Sequence, residues 1–505
     1  MSSTIDATYN ELVDELRQVA LLRSCGSVLS WDEQTYLPPA GGEFRAEQLA
    51  LLAGMSHEQA TSSRIGDLLA ALSNPASLGG EDSLRFANVR EARRHYDRAT
   101  QLPRRLVEEL SRVTTLSQQA WVKARKAQDF AQFLPWLEQV VALKREEAQA
   151  VGQGRGPAYD ALLDDYEPGM TSDEVASVFD PLKARLVDLV AAIRDSGRQP
   201  DVSILTREYP VDRQAEFSRR AATAIGFDFD AGRLDIAAHP FCSGIGPGDC
   251  RLTTRYDASF PRGIFRHAAR GRPRHVRAGF GPAHFGTAAG EAASLGIHES
   301  QSRMWENLVG RSRAFWQHFY PAAQATFPAA LDGVVLDDFH AAINDVRPSW
   351  IRVEADEVTY NLHIMLRFDI ERALIGGDLQ PAELPGVWNE TFQRYFGMTP
   401  PNDALGCIQD VHWSAGLIGY FPTYALGNMY AAQFFEAARV ELGDLDQQFA
   451  RGEFAPLLGW LRREIHSRGL QFRAADLVKL VTGKPLSSEP LLRHLNERFR
   501  PLYGV

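Results

Sequence analysis

Apolar residues recur every three or four positions along most of the chain, and this period constrains the fold more than any other feature. It is clear between Tyr9 and about Gly152, in two runs: Leu12, Leu16, Val19 and Leu22, and then Leu106, Leu110, Val113 and Leu116. Because an α-helix has about 3.6 residues per turn, this spacing places the apolar side chains on one helical face. The sequence therefore predicts amphipathic helices packed around an apolar core.

Shorter signals place one helix start and two strands. Thr171 followed by Glu174 is a capping-box pattern, which predicts that a helix begins there. Helical periodicity resumes from about Glu299 to the end of the sequence. Strand-like stretches are Val202 to Tyr209 and Arg251 to Tyr256. We predict a mainly α protein with a small β-sheet.

The chain of 505 residues contains no internal repeat, no Gly/Ser-rich linker and no low-complexity tail. A length prior alone would suggest roughly three domains. Because nothing in the sequence marks a boundary, we predict a single domain over residues 1–505, with a helical N-terminal part at about 1–200 and a site-bearing part at about 201–505.

Charge and composition exclude several classes of protein. The net charge of −10, from 64 acidic and 54 basic residues, argues against a general binder of nucleic acids. No apolar run is long enough to cross a membrane, and the four cysteines match no zinc or redox pattern. The first 20 residues lack a basic region followed by an apolar core, so we expect a cytoplasmic protein without a secretory signal.

One stretch departs from this acidic balance. No acidic residue lies between Asp257 and Glu291, and six arginines lie from Arg262 to Arg277. A basic block of this kind is normally a solvated surface or an interaction patch.

Five short segments in the second half are dense in polar, aromatic and ionisable residues. They are HPF at 239–241, DCRLTTRY at 249–256, GIHESQSRMWEN at 296–307, IRVEADEVTYNLH at 351–363 and GCIQDVHWSAGLIGYFPTY at 406–424. Each alone is compatible with a capped turn, a surface ion pair or a solvated helix charge. Buried polar side chains need partners, however, so five such segments in one chain indicate a shared polar site.

The ordered set resembles the carboxypeptidase Taq family of zinc metallocarboxypeptidases. The matching motifs are HPF, the Asp-x-Arg-x-Thr of DCRLT, HESQS, IRVEAD and the Gly-x-x-Gln-Asp-x-His-Trp of GCIQDVHW, and SWDEQTYLPPAGGEFRAEQLALL near the start also matches. The resemblance implies a large helical metallopeptidase fold whose N-terminal part covers a central cleft. It also implies one zinc ion per chain, exchangeable with other divalent metals, a cytoplasmic homodimer, and broad removal of C-terminal residues from peptide substrates.

The sequence lacks one essential element of that resemblance. Two histidines of His-Glu-x-x-His bind the metal from one helical face, and the glutamate between them takes a proton from water. No such motif occurs in this chain. By the resemblance, Glu299 is the third ligand, the histidine ligands fall on Ala269 and Pro273, and the general base falls on Arg270. None of these last three residues can perform its role.

A compensated frameshift would explain both the missing motif and the basic stretch. The amino acids at 266–278 permit codons that, read one nucleotide later, encode GTRHEAGHAMYEQ and rejoin the written frame at Gly279. This reading places histidines at positions 269 and 273 and a glutamate at 270. We therefore hypothesise that two compensating single-nucleotide shifts enclose residues 266–278.

Three other interpretations remain open for this stretch. The chain as written could be a metal-free, catalytically inactive relative that binds peptides, although Pro273 would then interrupt the ligand-bearing helix. The segment Arg270–Arg274 could act as a hook for the minor groove of DNA, but an isolated basic pentamer is weak support. A substitute metal site could use Glu299 with one or more of the histidines His267, His275, His284 and His298.

The resemblance also implies roles for residues outside the missing motif. Arg352 would bind the terminal carboxylate of the substrate, with a surface ion pair to Glu354 or Asp356 as the alternative. His412 and Tyr420 would donate hydrogen bonds to the oxyanion, with Tyr424 as a further substrate-binding candidate and aromatic packing as the alternative for all three.

Four more residues would support the site without touching the metal. His239, Asp249, Arg251 and His298 would orient the ligands and the neighbouring strand. The strand Arg251 to Tyr256 would pair with the substrate backbone through a free edge.

Overall fold

The computed structural model describes residues 2–237, 241–256, 259 and 284–505. His239 and the whole segment 266–278, with Ala269, Arg270 and Pro273, lie outside the described residues. The hypotheses about the missing metal motif and about a DNA hook therefore remain predictions.

The described chain divides into two compact units, each built from three stretches. The first comprises Met1–Thr100, Asp201–Ile343 and Phe434–Pro485, and the second comprises Gln101–Pro200, Asn344–Gln433 and Leu486–Val505. The prediction of a single domain over residues 1–505 remains a prediction.

The first unit contains most of the described helices and the described sheet. Its α-helices are Ser2–Glu33, Gly42–Ala60, Ser63–Ala71, Leu84–Gln101, Val211–Ala224, Leu295–Arg303, Arg313–Thr326, Pro328–Leu331, Leu336–Ile343, Leu445–Ala450, Ala455–Glu464 and Ala474–Thr482. A π-helix, Met304–Gly310, follows Leu295–Arg303 directly. Leu12 and Val19, which the sequence predicts to lie on one face of the first helix, are both buried.

The second unit is helical throughout its regular structure in the described residues. Its α-helices are Arg104–Ala127, Leu134–Gly152, Ala158–Leu163, Ser172–Asp195, Thr359–Gly376, Leu384–Phe396 and Glu489–Tyr503. A further helix, Pro422–Leu442, begins in the second unit and ends in the first, which resumes at Phe434. Short 3₁₀ turns in the two units are Pro39–Gly41, Pro75–Leu78, Phe130–Gln132, Val202–Thr206, Ala288–Gly290, Arg352–Glu354, Pro381–Glu383 and His466–Gln471.

The predicted helix start at Thr171 is confirmed. Thr171 accepts a hydrogen bond from the backbone N–H of Glu174, whose carboxylate accepts one from the Thr171 N–H at 2.8 Å. Each bond satisfies an N–H that the first helical turn leaves without an intrahelical partner.

The predicted strand at Val202 to Tyr209 is wrong. Residues Val202–Thr206 form a 3₁₀ turn because the Asp201 side chain accepts a hydrogen bond from the Ser203 N–H at 2.9 Å. Such a local side-chain bond competes with strand pairing. The apolar side chain of Ile204 is still buried, so its hydrophobicity reflects packing and not a strand.

The second predicted strand is confirmed as part of a three-stranded sheet in the order β1–β3–β2. The strands are β1 (Gly232–Ile236), β2 (Cys242–Gly246) and β3 (Asp249–Thr254). Because β3 pairs with β1 in parallel and with β2 in antiparallel register, it is the central strand. The predicted pairing of this strand with a substrate backbone is therefore wrong for Asp249–Thr254, whose edges are both occupied.

No helix in the described ranges is long and apolar enough to span a lipid bilayer. One cluster of the second unit packs Leu106, Val113, Val140 and Leu143 together. Burying a side chain of this size stabilises the fold by about 2 kcal/mol.

Candidate active site

Arg352 is a buried arginine held by a distant carboxylate. It lies in the 3₁₀ turn Arg352–Glu354 and is only 5% exposed. Its Nη2 donates to Asp410 Oδ1 at 2.7 Å, its Nε donates to the same oxygen at 3.1 Å, and its Nη1 donates to the Tyr360 hydroxyl at 3.1 Å. The alternative of a surface ion pair with Glu354 or Asp356 is therefore wrong.

Asp356 has a structural role one turn further on. Its carboxylate accepts hydrogen bonds from the N–H groups of Val358 and Thr359, both at 2.9 Å, and from the Thr359 hydroxyl at 2.6 Å. It thereby satisfies N–H groups at the start of the helix Thr359–Gly376. The aspartate of the IRVEAD segment therefore caps the following helix, and the turn that carries Arg352 lies directly before this cap.

Asp410 joins two arginines in the second unit. Arg367 donates from Nε to Asp410 Oδ2 at 2.8 Å, and its Nη2 lies 2.6 Å from the same oxygen. Burial alone would raise the pKa of the Asp410 carboxyl, but Arg367 and Arg352 hold that pKa well below its usual range. Because two cations share one anion, Arg352, Arg367 and Asp410 together keep a net positive charge.

The guanidinium of Arg352 retains unused donors among the described contacts. An arginine carries five N–H groups, of which Asp410 and Tyr360 engage three here. One N–H on Nη1 and one on Nη2 remain, so the guanidinium keeps two donors for a further acceptor such as a carboxylate.

Tyr424 lies beside this arginine, and His412 and Tyr420 lie beside Tyr424. The Arg352 guanidinium lies 5.2 Å from the centre of the Tyr424 ring, and the Tyr424 hydroxyl is 3.5 Å from His412 Nε2. The His412 and Tyr420 ring centres are 5.6 Å apart. The predicted oxyanion and carboxylate residues of this segment are thus brought together.

The imidazole of His412 is neutral near pH 7. Its burial lowers its pKa to about 4, with Asp410 opposing the change and Arg352 adding to it. A neutral imidazole carries one N–H and can therefore donate one hydrogen bond. The His412 and Phe421 ring centres are 4.5 Å apart, so packing also fixes the orientation of the imidazole.

Two side chains of this cluster have roles that the motifs alone did not reveal. Gln409 accepts from the Arg352 backbone N–H at 2.8 Å and donates to the Trp350 carbonyl at 2.9 Å. Glu371 is fully buried and accepts hydrogen bonds from Tyr159, Trp413 and Gly419. No local pattern singles out Glu371, because the helix Thr359–Gly376 also carries the buried polar residues Asn361, His363 and Arg367.

Glu299, the expected metal ligand, lies in the first unit on the helix Leu295–Arg303. Its Oε1 accepts a hydrogen bond from Arg303 Nε at 2.7 Å, and Arg303 Nη1 lies 3.6 Å from a Glu306 carboxylate oxygen. The next residues anchor the helix, because Ser300 and Gln301 are fully buried and Gln301 Oε1 lies 3.0 Å from His466 Nε2.

The remaining residues with predicted supporting roles are partly described. Asp249 and Arg251 form an ion pair with each other at 2.8 Å. The Arg251 guanidinium also lies 4.2 Å from the centre of the Trp31 ring, in the SWDEQ segment near the start. His298 is half-buried on the helix of Glu299. His239 lies outside the described residues.

The described residues do not fit a metal ion as the sequence is written. Within the described ranges no three His, Cys, Asp or Glu side chains lie close enough together to hold one. The substitute site built on His284, His298 and Glu299 is therefore not formed, and His267 and His275 lie outside the described residues. Among the described residues, Glu299 has Arg303 as its cationic partner.

Comparisons with known proteins agree with these motifs. The family model for the carboxypeptidase Taq (M32) metallopeptidases matches residues 11–499. Thermostable carboxypeptidase 1 of Thermus thermophilus is 46% identical over 510 residues, covering 99% of this chain and 100% of that protein. Carboxypeptidase 1 of Bacillus subtilis is 36% identical over 498 residues, covering 98% and 99%.

A solved structure extends the agreement to the fold. The crystal structure of an M32 carboxypeptidase from Deinococcus radiodurans R1 matches with a TM-score of 0.95 and 36% identity, covering 99% of this chain and 100% of that one. The predicted mainly α fold and the family resemblance are confirmed, and the family implies a divalent metal cofactor. The chain belongs to the carboxypeptidase Taq (M32) family of metallocarboxypeptidases.

Proposed function

We propose that this protein is a zinc-dependent carboxypeptidase of broad preference in the form in which residues 266–278 read GTRHEAGHAMYEQ. The observation that carries the proposal is the net positive charge shared by Arg352, Arg367 and Asp410. An exopeptidase must recognise a free terminal carboxylate, and a buried cluster with one surplus positive charge favours an anion over a neutral group.

Arg352 is the residue that binds the terminal carboxylate. Its two remaining N–H groups suit a two-point contact, while Asp410 keeps the guanidinium from rotating and Gln409 holds the Arg352 backbone N–H. Tyr424 borders the same guanidinium and contributes to substrate binding.

His412 and Tyr420 stabilise the negative charge that develops on the carbonyl oxygen under attack. Each side chain can donate one hydrogen bond, and His412 does so as a neutral imidazole. Preorganised donors of this kind lower the barrier because they need no reorientation during the reaction.

Glu299 is a metal ligand in this proposal, and the glutamate that the shifted reading places at position 270 is the general base. The base accepts the proton of the attacking water. Glu299 accepts from Arg303 through Oε1, so Oε2 is the oxygen that would face the metal. His239, Asp249, Arg251 and His298 orient these groups.

The remaining expectations follow from family membership. They are one zinc ion per chain that other divalent metals can replace, peptide substrates, a homodimer and a cytoplasmic location. The absence of a membrane-spanning helix among the described residues is compatible with that location.

A second candidate function applies to the chain as written, namely binding of peptides without cleavage and without metal. The observation that favours it is the Glu299–Arg303 ion pair, since an arginine already neutralises the one remaining ligand. The described contacts of Arg352 with Asp410, Tyr360 and Gln409 all form within the second unit.

Metal content and cleavage distinguish the two candidates. The chain as written is compared with a restored variant, in which residues 266–278 are replaced by GTRHEAGHAMYEQ. We expect the restored variant to bind zinc and to release the C-terminal amino acid from an N-blocked dipeptide, whereas the chain as written does neither. The matched control is a restored variant with glutamine in place of the glutamate at position 270, which should bind zinc without cleaving.

Two outcomes would contradict this assignment. One is cleavage by the chain as written with no bound metal, and the other is a restored variant that neither binds zinc nor cleaves. Resequencing the codons for residues 266–278 tests the frameshift separately, and an unshifted reading would remove that hypothesis.

A further inference from the structure

Glu371 is a buried carboxylate that neither the family motifs nor the proposed roles include. It lies on the helix Thr359–Gly376 and is fully buried. Its oxygens accept hydrogen bonds from Tyr159 Oη at 2.8 Å, Trp413 Nε1 at 2.8 Å and the Gly419 N–H at 3.0 Å. A buried carboxylate is costly unless donors of this kind compensate it.

Two of these three donors belong to one segment. Trp413 directly follows His412, and Gly419 directly precedes Tyr420. The Glu371 carboxylate therefore binds the segment at two points, each next to a proposed oxyanion donor. One bond comes from the Trp413 side chain and the other from the Gly419 backbone N–H.

The segment needs such anchors because it has no regular secondary structure before the helix Pro422–Leu442. Its start is held elsewhere, by Gln409 and by the Trp121 Nε1 bond to the Ile408 carbonyl at 2.8 Å. Its later part is tightly packed at Gly419, where φ is +92° and an added Cβ would lie 3.0 Å from the backbone of Leu162. Glu371 holds this later part.

We propose that Glu371 is a positioning residue that fixes His412 and Tyr420 by accepting hydrogen bonds from Trp413 and Gly419. This inference rests on the proposed function, because the placement of His412 and Tyr420 matters for rate only if they stabilise the oxyanion. The carboxylate grip of Arg352 depends on Asp410 and Gln409 at the start of the segment, so Glu371 acts on the rate of the bound substrate and not on its binding.

The test uses Glu371→Gln, which keeps the shape of the side chain but replaces one acceptor oxygen by an NH₂ donor. Trp413 and Gly419 approach different oxygens, so one of their N–H groups loses its acceptor whichever way the amide is turned. Tyr159→Phe is the matched control, since it removes a hydrogen bond from the same carboxylate without touching the segment.

The first readout needs neither metal nor cleavage. In the chain as written, the NMR signal of the His412 ring, identified by its loss in His412→Gln, reports the surroundings of that imidazole. We expect Glu371→Gln to move this signal and its titration, and Tyr159→Phe to leave both in place. An unchanged signal in Glu371→Gln, or an equal change in both variants, would overturn the proposal.

The second readout is the kinetics of the restored variant on an N-blocked dipeptide. We expect Glu371→Gln to lower kcat by about 10- to 100-fold with little change in KM, because a small misplacement of catalytic groups has an effect of this size. Tyr159→Phe should keep the parental kcat. A change confined to KM, or an unchanged kcat, would overturn the proposal.

The two readouts separate this inference from the proposed function. If the restored variant is inactive, the proposed function fails and the His412 signal alone decides whether Glu371 positions the segment. If Glu371→Gln does not fold, Trp413→Phe removes one of the same hydrogen bonds, and the same results are expected of it.

Discussion

At the scale of single residues, the chemistry of this protein depends on how buried charges are shared. Arg352 and Arg367 compete for the one carboxylate of Asp410, and the surplus positive charge is what a substrate carboxylate can neutralise. His412 stays neutral within this cluster because its burial disfavours a further cation. Burial and the charges of neighbouring residues thus set the protonation state of each group.

Replacing Arg352 by lysine tests the proposed two-point contact between the guanidinium and the terminal carboxylate of the substrate. Arg352→Lys keeps the charge but loses the planar pair of N–H groups, so we expect KM of the restored variant to rise about tenfold or more with a smaller effect on kcat. The control is Arg347→Lys, at an arginine whose side chain is about half exposed. An unchanged KM in Arg352→Lys would show that another group binds the carboxylate.

The buried His412 predicts a specific pH dependence of stability. Because its pKa is lowered from 6.5 to about 4 in the folded protein, the unfolded chain binds more protons between these values. The free energy of unfolding therefore falls as pH decreases from about 6.5 to about 4, by up to about 3 kcal/mol from this group.

Urea denaturation at several pH values measures this effect. We expect His412→Gln to have a flatter dependence across that interval than the parent chain, whereas His57→Gln, at an exposed histidine, should keep the parental slope. Parallel curves for His412→Gln and the parent would show that His412 does not carry the shift.

At the scale of elements, the capping pattern predicts its helix start correctly, whereas one of the two strand-like stretches, Val202 to Tyr209, is not a strand. Thr171 and Glu174 begin a helix as predicted, because both bonds of the capping box form within four residues. Val202–Thr206 forms a 3₁₀ turn instead of a strand because Asp201 bonds locally. In both cases a short-range side-chain bond decides the outcome.

The capping box gives a prediction about stability. Thr171→Ala removes a side-chain acceptor at the helix start, so we expect a loss of about 1 kcal/mol in the free energy of unfolding. Thr115→Ala, in the exposed middle of the helix Arg104–Ala127, is the control and should change stability by less than about 0.5 kcal/mol. A Thr171→Ala chain as stable as the parent would mean that water replaces the cap.

At the scale of the whole molecule, the family fold is formed although the metal-binding motif is missing from the sequence. The family match spans residues 11–499, so the framework is recognisable although the sequence contains no His-Glu-x-x-His. Cofactor binding can therefore be tested separately from folding.

Metal should stabilise the restored variant and not the chain as written. A ligand that binds only the folded state at 100 times its Kd adds about 2.7 kcal/mol, which raises Tm. We expect a zinc-dependent rise in Tm, reversed by a chelator, for the restored variant alone. An equal rise in the chain as written would indicate a metal site that does not need residues 266–278.

The sequence by itself determined the helical class, the helix start at Thr171, the family and the absence of His-Glu-x-x-His, because each depends on neighbouring residues or on an ordered set of short motifs. Only the tertiary structure decided that Arg352 binds Asp410, which lies 58 positions away, and that Glu371 holds Trp413 and Gly419. A buried charged side chain pairs with whichever oppositely charged or hydrogen-bonding group the folded chain places next to it. The pairing depends on contacts between segments that are far apart in the sequence, so the local spacing of residues does not predict it.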